Sequence, residues 1–334
     1  MITMYLRQQG SSIRLVGKRL KVIKGNDVLD VVHLRDLERL VIYGNVDLTG
    51  PAMAALLDSR VETVLLSYGG RFRGRLQPAE SKNVFVRMAQ FRRYEDSEFR
   101  LRTGQVIVNA KIKNSRFILQ RYYRNHPDDK ISRAIENMDS CRKTLNIRKS
   151  IDELMGAEGE AAKIYFGAFG CMVRSEFAFQ IRSRRPPKDP VNALLSFGYT
   201  LLCTEIAGAI AGQGLDMQVG FFHELEYGRP SMALDLMEEF RQPVIDRLVL
   251  SLINRSVLMK SDFEDRGDNG VYLNDKGRIR FLEYYHQTLQ SSFLDREYGA
   301  DGKSTTFREL FNRQASRMKD AIIGECDYLP YAFH

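Results

Sequence analysis

The sequence predicts an α+β fold with two domains, an N-terminal β domain followed by a larger α-helical domain. Two observations carry this prediction. Short β-rich runs separated by glycine turns fill the first 76 residues, and helical periodicity dominates from residue 84 onward. The length of 334 residues allows two domains, because one domain usually takes roughly 100–200 residues.

The N-terminal region predicts a small sheet or a sandwich. Its expected strands are Ile13–Val16, Leu20–Ile23, Val28–Val32, Leu40–Tyr43, Val61–Leu66 and Phe72–Leu76. Alternation of apolar and polar residues, as at Ile13 and Leu15, is typical of strands with one buried face. One helix is expected within this series, because Thr49 can cap it, Pro51 suits its first turn and the apolar run continues to Leu57.

The domain boundary is expected in the segment Gln77–Asn83, where the periodicity changes. Helices are predicted at Val84–Tyr94 and Phe99–Tyr123, and helical patterns continue to Cys326. In the second half, Val271–Arg280 is the one β signal, and its DKG triplet predicts a turn between two short extended pieces.

The composition indicates a basic protein of a reducing compartment. The net charge of +8 at pH 7 favours a polyanionic partner, either nucleic acid or an anionic membrane surface. Four cysteines lie at least 30 residues apart without a CxxC pair, which argues against a zinc ribbon or a redox motif. The apolar window Ala193–Gly212 contains Glu205, which favours a buried helix over a membrane span. The N-terminus lacks the apolar run of a signal peptide, so we expect a cytoplasmic protein with no membrane contact.

A basic helix is the first candidate functional feature. Between Phe99 and Asn125 the chain carries no acidic residue and seven basic ones: Arg100, Arg102, Lys111, Lys113, Arg116, Arg121 and Arg124. The last four are spaced so that a broad face of the helix is positive, which suits the neutralisation of DNA phosphates. The alternative is a solvated helix whose charges pair with acids elsewhere in the chain.

Two further segments contain isolated polar residues in unusual surroundings. Glu158 stands between Ala157 and Gly159, with Gly156 before them, and such small neighbours leave space for a close approach by a ligand or by backbone. A tight helix–helix crossing beside a surface glutamate explains the same pattern. His223 follows two phenylalanines after a glycine-rich turn, where a histidine is either a core residue or a ligand.

A pair of acids supplies the third candidate segment. Asp235 and Glu238 are three residues apart on a predicted helix, so they project from the same side. Paired acids repel each other unless a positive charge lies between them, and Mg²⁺ or Mn²⁺ would supply that charge. The alternative is an acidic patch near a helix N-terminus, which the helix dipole favours. Together, the three segments would assemble a glutamate, a histidine and an acidic pair around one ion.

In these segments and their surroundings the sequence resembles the CRISPR-associated integrase of the adaptation machinery, the universal first protein of spacer acquisition. The matching stretches are MGAEGEAAKIYF at 155–166, DPVNALLSFGYTLL at 189–202, GLDMQVGFFHELEYGRPSMALDLMEEFR at 214–241 and VYLNDKGRIRFL at 271–282. The N-terminal β pattern and the terminal YLPYAF are also similar, so the resemblance covers essentially the whole chain. One departure is that Gln242 stands before Pro243, where the family usually has proline directly after the arginine of EEFR.

The resemblance implies a β-sandwich at residues 1–80 that takes part in dimerisation and an α-helical catalytic domain at residues 81–334. It implies Glu158, His223 and Glu238 as ligands of Mg²⁺ or Mn²⁺, with Asp235 as the neighbouring acid of the catalytic site and Glu239 close by. It also implies a homodimer, and a heterohexamer in which two dimers hold a dimer of a small ferredoxin-like CRISPR adaptation protein.

The activity implied by the resemblance is the insertion of short foreign DNA into a CRISPR array. The substrates would be a duplex with 3′-OH ends and the CRISPR repeat DNA, joined by transesterification. We expect Arg229, Asn192 and Tyr165 to line the scissile phosphate, and Lys113, Arg116, Arg121 and Arg124 to hold the duplex backbone. Two other functions remain open, a stand-alone metal nuclease of branched repair intermediates and a non-catalytic architectural DNA binder.

Overall fold

The computed structural model describes residues 2–68, 72–76, 84–294 and 304–333 of the chain. The chain divides into two compact units, Met1–Lys82 and Asn83–His334. The segment Gln77–Asn83, where the sequence places the domain boundary, lies outside the described residues.

The described residues of the first unit form two four-stranded sheets. The strands are β1 (Ile2–Leu6), β2 (Ser11–Val16), β3 (Arg19–Lys24), β4 (Asp27–His33), β5 (Leu37–Tyr43), β6 (Val46–Leu48), β7 (Glu62–Leu66) and β8 (Phe72–Leu76). One sheet has the order β1-β5-β7-β8 and the other the order β4-β3-β2-β6. The sequence prediction does not include strands β1 and β6. Each pairs in parallel with a distant strand, β1 with β5 and β6 with β2, and local alternation does not reveal such pairs.

Both sheets contribute to one hydrophobic core. Leu40 of β5 and Ile13 of β2 are buried in it, together with Leu56 of helix α1 (Gly50–Asp58). The helix begins where the sequence predicts, with Thr49 as its N-cap residue, although the Thr49 hydroxyl donates to the Ile13 carbonyl (3.0 Å) and not to the helix. The first unit is therefore a pair of sheets that share a core with one helix.

The described part of the second unit is mostly helical. Its helices are α2 (Val84–Glu95), α3 (Ser97–Asn125), α4 (Asp129–Lys143), α5 (Ile151–Phe169), α6 (Pro190–Gly212), α7 (Ser231–Met237), α8 (Arg247–Asn254), α9 (Asp275–Gln290) and α10 (Phe307–Ile323). Helix α3 packs against α4 and α5, and α6 packs against α7 and α10. A π-helical segment, Arg241–Asp246, joins the end of α7 to α8. This arrangement confirms the predicted α+β class, with sheets first and helices after them.

The prediction for Val271–Arg280 is wrong in its second half. Val271–Leu273 is a short strand, β10, and it pairs antiparallel with β9 (Phe263–Asp265). The DKG triplet after it is the first turn of α9, because the Asn274 side chain accepts a hydrogen bond from the Gly277 N–H (2.9 Å) and caps the helix. The remaining short strands of the described second unit, β11 (Phe293–Leu294) and β12 (Ser304–Thr305), have no counterpart in the sequence prediction.

Helix α6 is the one helix of the described chain that is long and apolar enough to cross a membrane. More than half of its apolar window is buried inside the second unit, with Leu194, Leu202 and Ile210 fully enclosed. Core helices of this kind satisfy the same length and hydropathy criteria as membrane spans. Its burial agrees with the sequence prediction of a core helix.

Candidate active site

The candidate site begins on helix α5, which positions Glu158. The helix starts at the Ser150 cap, whose hydroxyl accepts a hydrogen bond from the Glu153 N–H (3.2 Å). A Cβ added at Gly156 or Gly159 would meet no atom within 4 Å, so these glycines do not serve a tight helix crossing. The Glu158 side chain is 22% exposed and lies in open surroundings that suit the approach of a ligand.

A buried lysine on α3 connects Glu158 to Glu238. Lys111 Nζ contacts Oε1 of Glu158 and lies 2.5 Å from Oε2 of Glu238. The Lys111 side chain is only 11% exposed, so its charge is largely removed from water and depends on these carboxylates. From the sequence, Lys111 is one of seven basic residues of α3 and has no predicted role of its own. Its position next to Ala110 and Ile112, within an apolar stretch, is the sequence signal that could have shown an inward-facing lysine.

Glu238 lies just after α7 and is held by cations on two sides. Arg241 Nη2 lies 3.0 Å from its Oε1, and Lys111 lies near its Oε2. Burial alone would raise the pKa of Glu238, but Arg241, Lys111 and His223 together lower it to about 2. The side chain is 3% exposed, and these neighbours keep it charged in the interior.

Asp235 organises the loop that carries His223. Its Oδ2 accepts hydrogen bonds from the N–H groups of Phe221 (2.6 Å) and Phe222 (3.0 Å), and its Oδ1 accepts one from the His223 N–H (2.9 Å). Gly220 permits this close approach, because a Cβ there would lie 2.7 Å from Oδ2 of Asp235.

The same carboxylate orients the imidazole of His223. Nδ1 of the ring lies 2.7 Å from Oδ1 of Asp235, and Nε2 lies 3.8 Å from Oε1 of Glu238. A proton on Nδ1 leaves the lone pair on Nε2 directed to the side of Glu238. The expectation that Asp235 faces an ion beside Glu238 is therefore corrected. Asp235 is a positioning residue that acts through His223.

The donor set at this centre fits a divalent ion. Within the described residues, no group of three or more His, Cys, Asp and Glu side chains is already arranged around one point to hold a metal. The side chains of Glu158 and Glu238 nevertheless meet at one cation, the Lys111 ammonium, and the His223 ring stands next to Glu238. Two carboxylates and a neutral imidazole are ligands that Mg²⁺ and Mn²⁺ accept.

Glu239 lies in a different environment, formed by Gln314, Tyr328 and Tyr331, which we call the tail socket. Its carboxylate accepts hydrogen bonds from the Tyr328 hydroxyl, from Gln314 Nε2 (2.8 Å) and from the Tyr331 N–H (2.7 Å). Burial raises the pKa of Glu239 to about 7, although these hydrogen bonds lower it. Asn114 Nδ2 donates to the carbonyls of Glu239 (2.7 Å) and Tyr331 (3.1 Å), so the C-terminal segment is fixed against α3. Glu239 therefore organises the tail and does not face the candidate site.

Two of the residues expected around the phosphate are buried and engaged elsewhere. Tyr165 donates to Oδ2 of Asp246 (2.9 Å) and is enclosed in the core. Asn192 is fully buried, and it holds the loop before α6 by donating to the Ile181 carbonyl (2.8 Å) and accepting from the Ser183 N–H (2.9 Å). For both residues the expected phosphate contact is corrected to a structural role.

Arg229 and the basic helix lie nearer to solvent. Arg229 Nη1 pairs with Glu226 (3.1 Å) in the loop before α7. On α3, Lys113, Arg121 and Arg124 are exposed, whereas Arg116 is half-buried and lies 3.7 Å from Asp139 of α4. The proposed DNA-binding face thus retains three exposed cations, and one of its members has an acidic neighbour.

The fold and this centre define a two-unit α+β protein whose buried carboxylates and histidine suit phosphodiester chemistry. The chain belongs to the CRISPR-associated Cas1 family, because the model of that family, "CRISPR associated protein Cas1", matches residues 4–287. The CRISPR-associated endonuclease Cas1 2 of Rhodospirillum rubrum is 38% identical over 296 residues, which cover 85% of this chain and 85% of that protein.

Solved structures have the same fold. A casposase bound to integration product superposes with a TM-score of 0.84 and 26% identity, over 99% of this chain and 93% of that one. A chain of a partial Cas6-RT-Cas1–Cas2 complex superposes with a TM-score of 0.70, over 99% of this chain and 98% of that one. Its 23% identity makes it a likeness of fold alone.

Proposed function

We propose that this protein is a divalent-metal-dependent DNA integrase and endonuclease of CRISPR spacer acquisition. It would join the 3′-OH ends of short foreign DNA to CRISPR repeat DNA. The observation that carries the proposal is the convergence of Glu158 and Glu238 on one cation position beside His223. The endonuclease named Cas1 2 and the casposase bound to integration product support the substrate class.

Glu158, His223 and Glu238 would hold Mg²⁺ or Mn²⁺, which when bound offsets the charge that develops on a phosphoryl group. Lys111 and Arg241 keep Glu238 charged, and Asp235 keeps Nε2 of His223 available. In the joining step, a 3′-oxygen forms one P–O bond and the 3′-oxygen of the cut strand leaves with the proton. One phosphodiester replaces another, so the step needs no ATP.

The proposed assembly follows the family. The first unit would mediate a homodimer, and two dimers would bind a dimer of a small ferredoxin-like CRISPR adaptation protein in a heterohexamer. A solved complex with the same fold contains Cas1 together with Cas2, and the proposal extends a partner of that kind to this chain. The exposed cations Lys113, Arg121 and Arg124 would hold DNA phosphates, and the protein would act in the cytoplasm.

The proposal is tested with Glu158→Ala and a matched control, Glu160→Ala. Both glutamates lie on α5, but Glu160 is exposed and forms no part of the candidate centre. With Mn²⁺ or Mg²⁺, a 3′-OH duplex and a supercoiled target carrying a CRISPR repeat, we expect joined products from wild type and Glu160→Ala and none from Glu158→Ala. Duplex binding should be nearly equal in all three proteins.

Joining by Glu158→Ala at the wild-type rate would contradict the metal-centre assignment. Cleaved but unjoined products from the wild type would favour the alternative, a stand-alone nuclease of branched DNA. Activity that a chelator does not affect would exclude metal dependence.

A further inference from the structure

A cationic cavity lies outside the candidate active site, at the C-terminal end of α3. It is open to solvent and has a volume of about 490 Å³ between α3, α8 and the loop after α5, and of the ten described residues that line it none is acidic. Three of the lining residues are arginines, Arg121, Arg174 and Arg247. A cavity of this size is in the range of small-ligand sites, roughly 300–1,000 Å³.

The lining of the cavity brings three arginines together with no acid among the described lining residues. Within the described chain, none of Arg121, Arg174 and Arg247 has a carboxylate within ion-pair distance. The Arg247 guanidinium packs over the rings of Phe307 (5.7 Å) and Phe333 (5.3 Å), so it is held in place by aromatic faces. Burial lowers the pKa of Arg247, and the neighbouring charge of Arg121 lowers it further. An anion between these groups would relieve that repulsion.

The wall of the cavity is fixed by its own hydrogen bonds. Asn254 at the end of α8 donates to the Met172 carbonyl (2.8 Å) and accepts from the Arg174 N–H (2.7 Å). The Arg174 side chain in turn places Nη1 2.5 Å from Nε2 of His126. These hydrogen bonds therefore fix both the backbone and the side-chain direction of Arg174 at the wall of the cavity.

The cavity also offers an aromatic surface. The rings of Tyr122 and His126 lie 4.9 Å apart at an angle of 51° on its α3 side. Flat side chains beside arginines are the combination that binds single-stranded nucleic acid, since bases stack on the rings while the phosphates meet the cations. An inorganic anion alone would make no use of these rings.

The cavity and the candidate active site share one face of α3. Ile118 and Tyr122 follow Lys111 by seven and eleven residues, and these spacings bring side chains back to the same side of an α-helix. The distance along the helix from Lys111 to Tyr122 is about 16 Å at 1.5 Å per residue.

We propose that this cavity binds one nucleotide of an unpaired DNA strand. Its phosphate would lie among Arg121, Arg174 and Arg247, and its base against Tyr122 and His126. The assignment of the ligand to DNA rests on the proposed function, whereas the affinity of the cavity for a nucleotide is measured without any catalysis.

The experiment uses fluorescein-labelled pentathymidylate, the full-length protein and a chelator, with affinity read by fluorescence anisotropy. The test variant is Arg174→Gln/Arg247→Gln, which removes two cavity charges that the proposed duplex-binding face does not use. The matched control is Arg102→Gln/Arg133→Gln, which removes two exposed charges outside the cavity. We expect the test variant to bind at least tenfold more weakly than wild type and the control to stay within about twofold. Equal affinities for the two double variants would overturn the proposal.

Competition with small probes identifies the chemistry. Thymidine 5′-monophosphate should displace the oligonucleotide at lower concentration than inorganic phosphate, and thymidine alone should not displace it. Tyr122→Leu should weaken oligonucleotide binding about tenfold while leaving phosphate competition unchanged, because a stacked base contributes about 1–3 kcal/mol. Equal competition by inorganic phosphate and the nucleotide would overturn the nucleotide assignment.

The two proposals fail in distinguishable ways. If wild type binds the oligonucleotide through the cavity but forms no joined product, the proposed function fails and the nucleotide site stands. If wild type joins DNA but the cavity variant binds as the control does, the cavity proposal alone fails.

Discussion

Glu238 and Glu239 are neighbours in the chain, yet they lie in opposite environments. Glu238 faces Lys111 and Arg241, and its pKa is lowered to about 2 despite its burial. Glu239 faces the tail socket, where burial raises its pKa to about 7 although three donors lower it. Both side chains are buried, so the difference comes from the two cations within ion-pair distance of Glu238, whereas the hydrogen-bond donors to Glu239 are neutral.

Burial of an acid is therefore not in itself evidence of a chemical role. A carboxylate held charged in the interior can bind a cation at once, whereas one held by neutral donors serves as a structural acceptor. The two sides can be perturbed separately because the two side chains, which both follow the end of α7, contact different neighbours.

The largest effect is expected on the rate of DNA joining, where changes at Glu238 and Glu239 should differ. Glu238→Gln should lower the rate of DNA joining at least a thousandfold, which corresponds to about 4 kcal/mol, because it would remove the charge of a proposed metal ligand. The joining rate of Glu239→Gln, per folded molecule, should stay within about threefold of the wild-type rate. Rates are measured with Mn²⁺ on the same duplex and target, and folded protein is quantified by near-UV circular dichroism. Comparable losses in both variants would contradict the separation.

A slightly smaller effect tests the tail socket by stability. Tyr331 is 1% exposed and stacks on Phe240 (5.3 Å), so Tyr331→Ala should lower the free energy of unfolding by about 3–4 kcal/mol. Leu329→Ala is the matched control in the same tail. Its side chain is 53% exposed, and its hydrogen bond with Gln314 is made by the backbone carbonyl, which the substitution keeps. The change should therefore lower the free energy of unfolding by less than about 0.5 kcal/mol. Both are measured by urea denaturation, and equal losses would show that the tail is not anchored at Tyr331.

A third buried acid, Asp246, gives a pH-dependent test of the same contrast. Burial raises its pKa to about 6, although hydrogen bonds from Tyr199 (2.6 Å) and Tyr165 (2.9 Å) lower it. Between pH 4 and pH 6 the folded protein therefore keeps a proton that the unfolded chain has lost. The stabilisation from this group is present below about pH 4 and is lost as the pH rises through 6, by up to about 3 kcal/mol.

Urea denaturation of wild type and Asp246→Asn between pH 4 and pH 7 measures this effect. As the pH rises, the free energy of unfolding of wild type should fall relative to that of Asp246→Asn. Asp139 gives the opposite sign, because Lys143 and Arg142 hold the pKa of its carboxyl below the usual range. A pH-independent difference for Asp246→Asn would contradict the raised pKa.

The smallest expected effect concerns Asp235. Asp235→Asn should raise the Mn²⁺ concentration needed for half-maximal joining about 10–100-fold, as is typical when a residue that orients a metal-binding histidine is changed. The maximum rate at saturating Mn²⁺ should recover most of the wild-type value, which a direct ligand would not allow. A maximum rate that stays a thousandfold low would place Asp235 on the ion itself.

Helices and most strands were predictable because their signals are local. The predicted helices Val84–Tyr94 and Phe99–Tyr123 differ from α2 and α3 by no more than two residues at either end. Strand β1 was missed because its partner β5 lies about 35 residues away. The DKG triplet was misread as a turn, since an asparagine cap and a turn use the same residue types.

The candidate site was predictable in part. Glu158, His223 and Glu238 came from the resemblance, and the residues alone gave only a plausible metal site. The roles of Asp235 and Lys111 depend on contacts across 12 and 47 residues of sequence, which no local pattern encodes. Tyr165 and Asn192 were misplaced for the same reason, because a polar side chain near a catalytic motif can face the core as well as the substrate.

The Lys111 ammonium between Glu158 and Glu238 has a consequence for how the enzyme is made. Because a side chain of the chain itself supplies counter-charge, the centre can fold before any ion arrives, and ion removal should leave the fold intact. Under the proposed function, loading of the site would be an exchange in which the Lys111 ammonium moves aside for the metal ion. The folded protein would then be stable without its ion, and the ion could bind as late as the DNA.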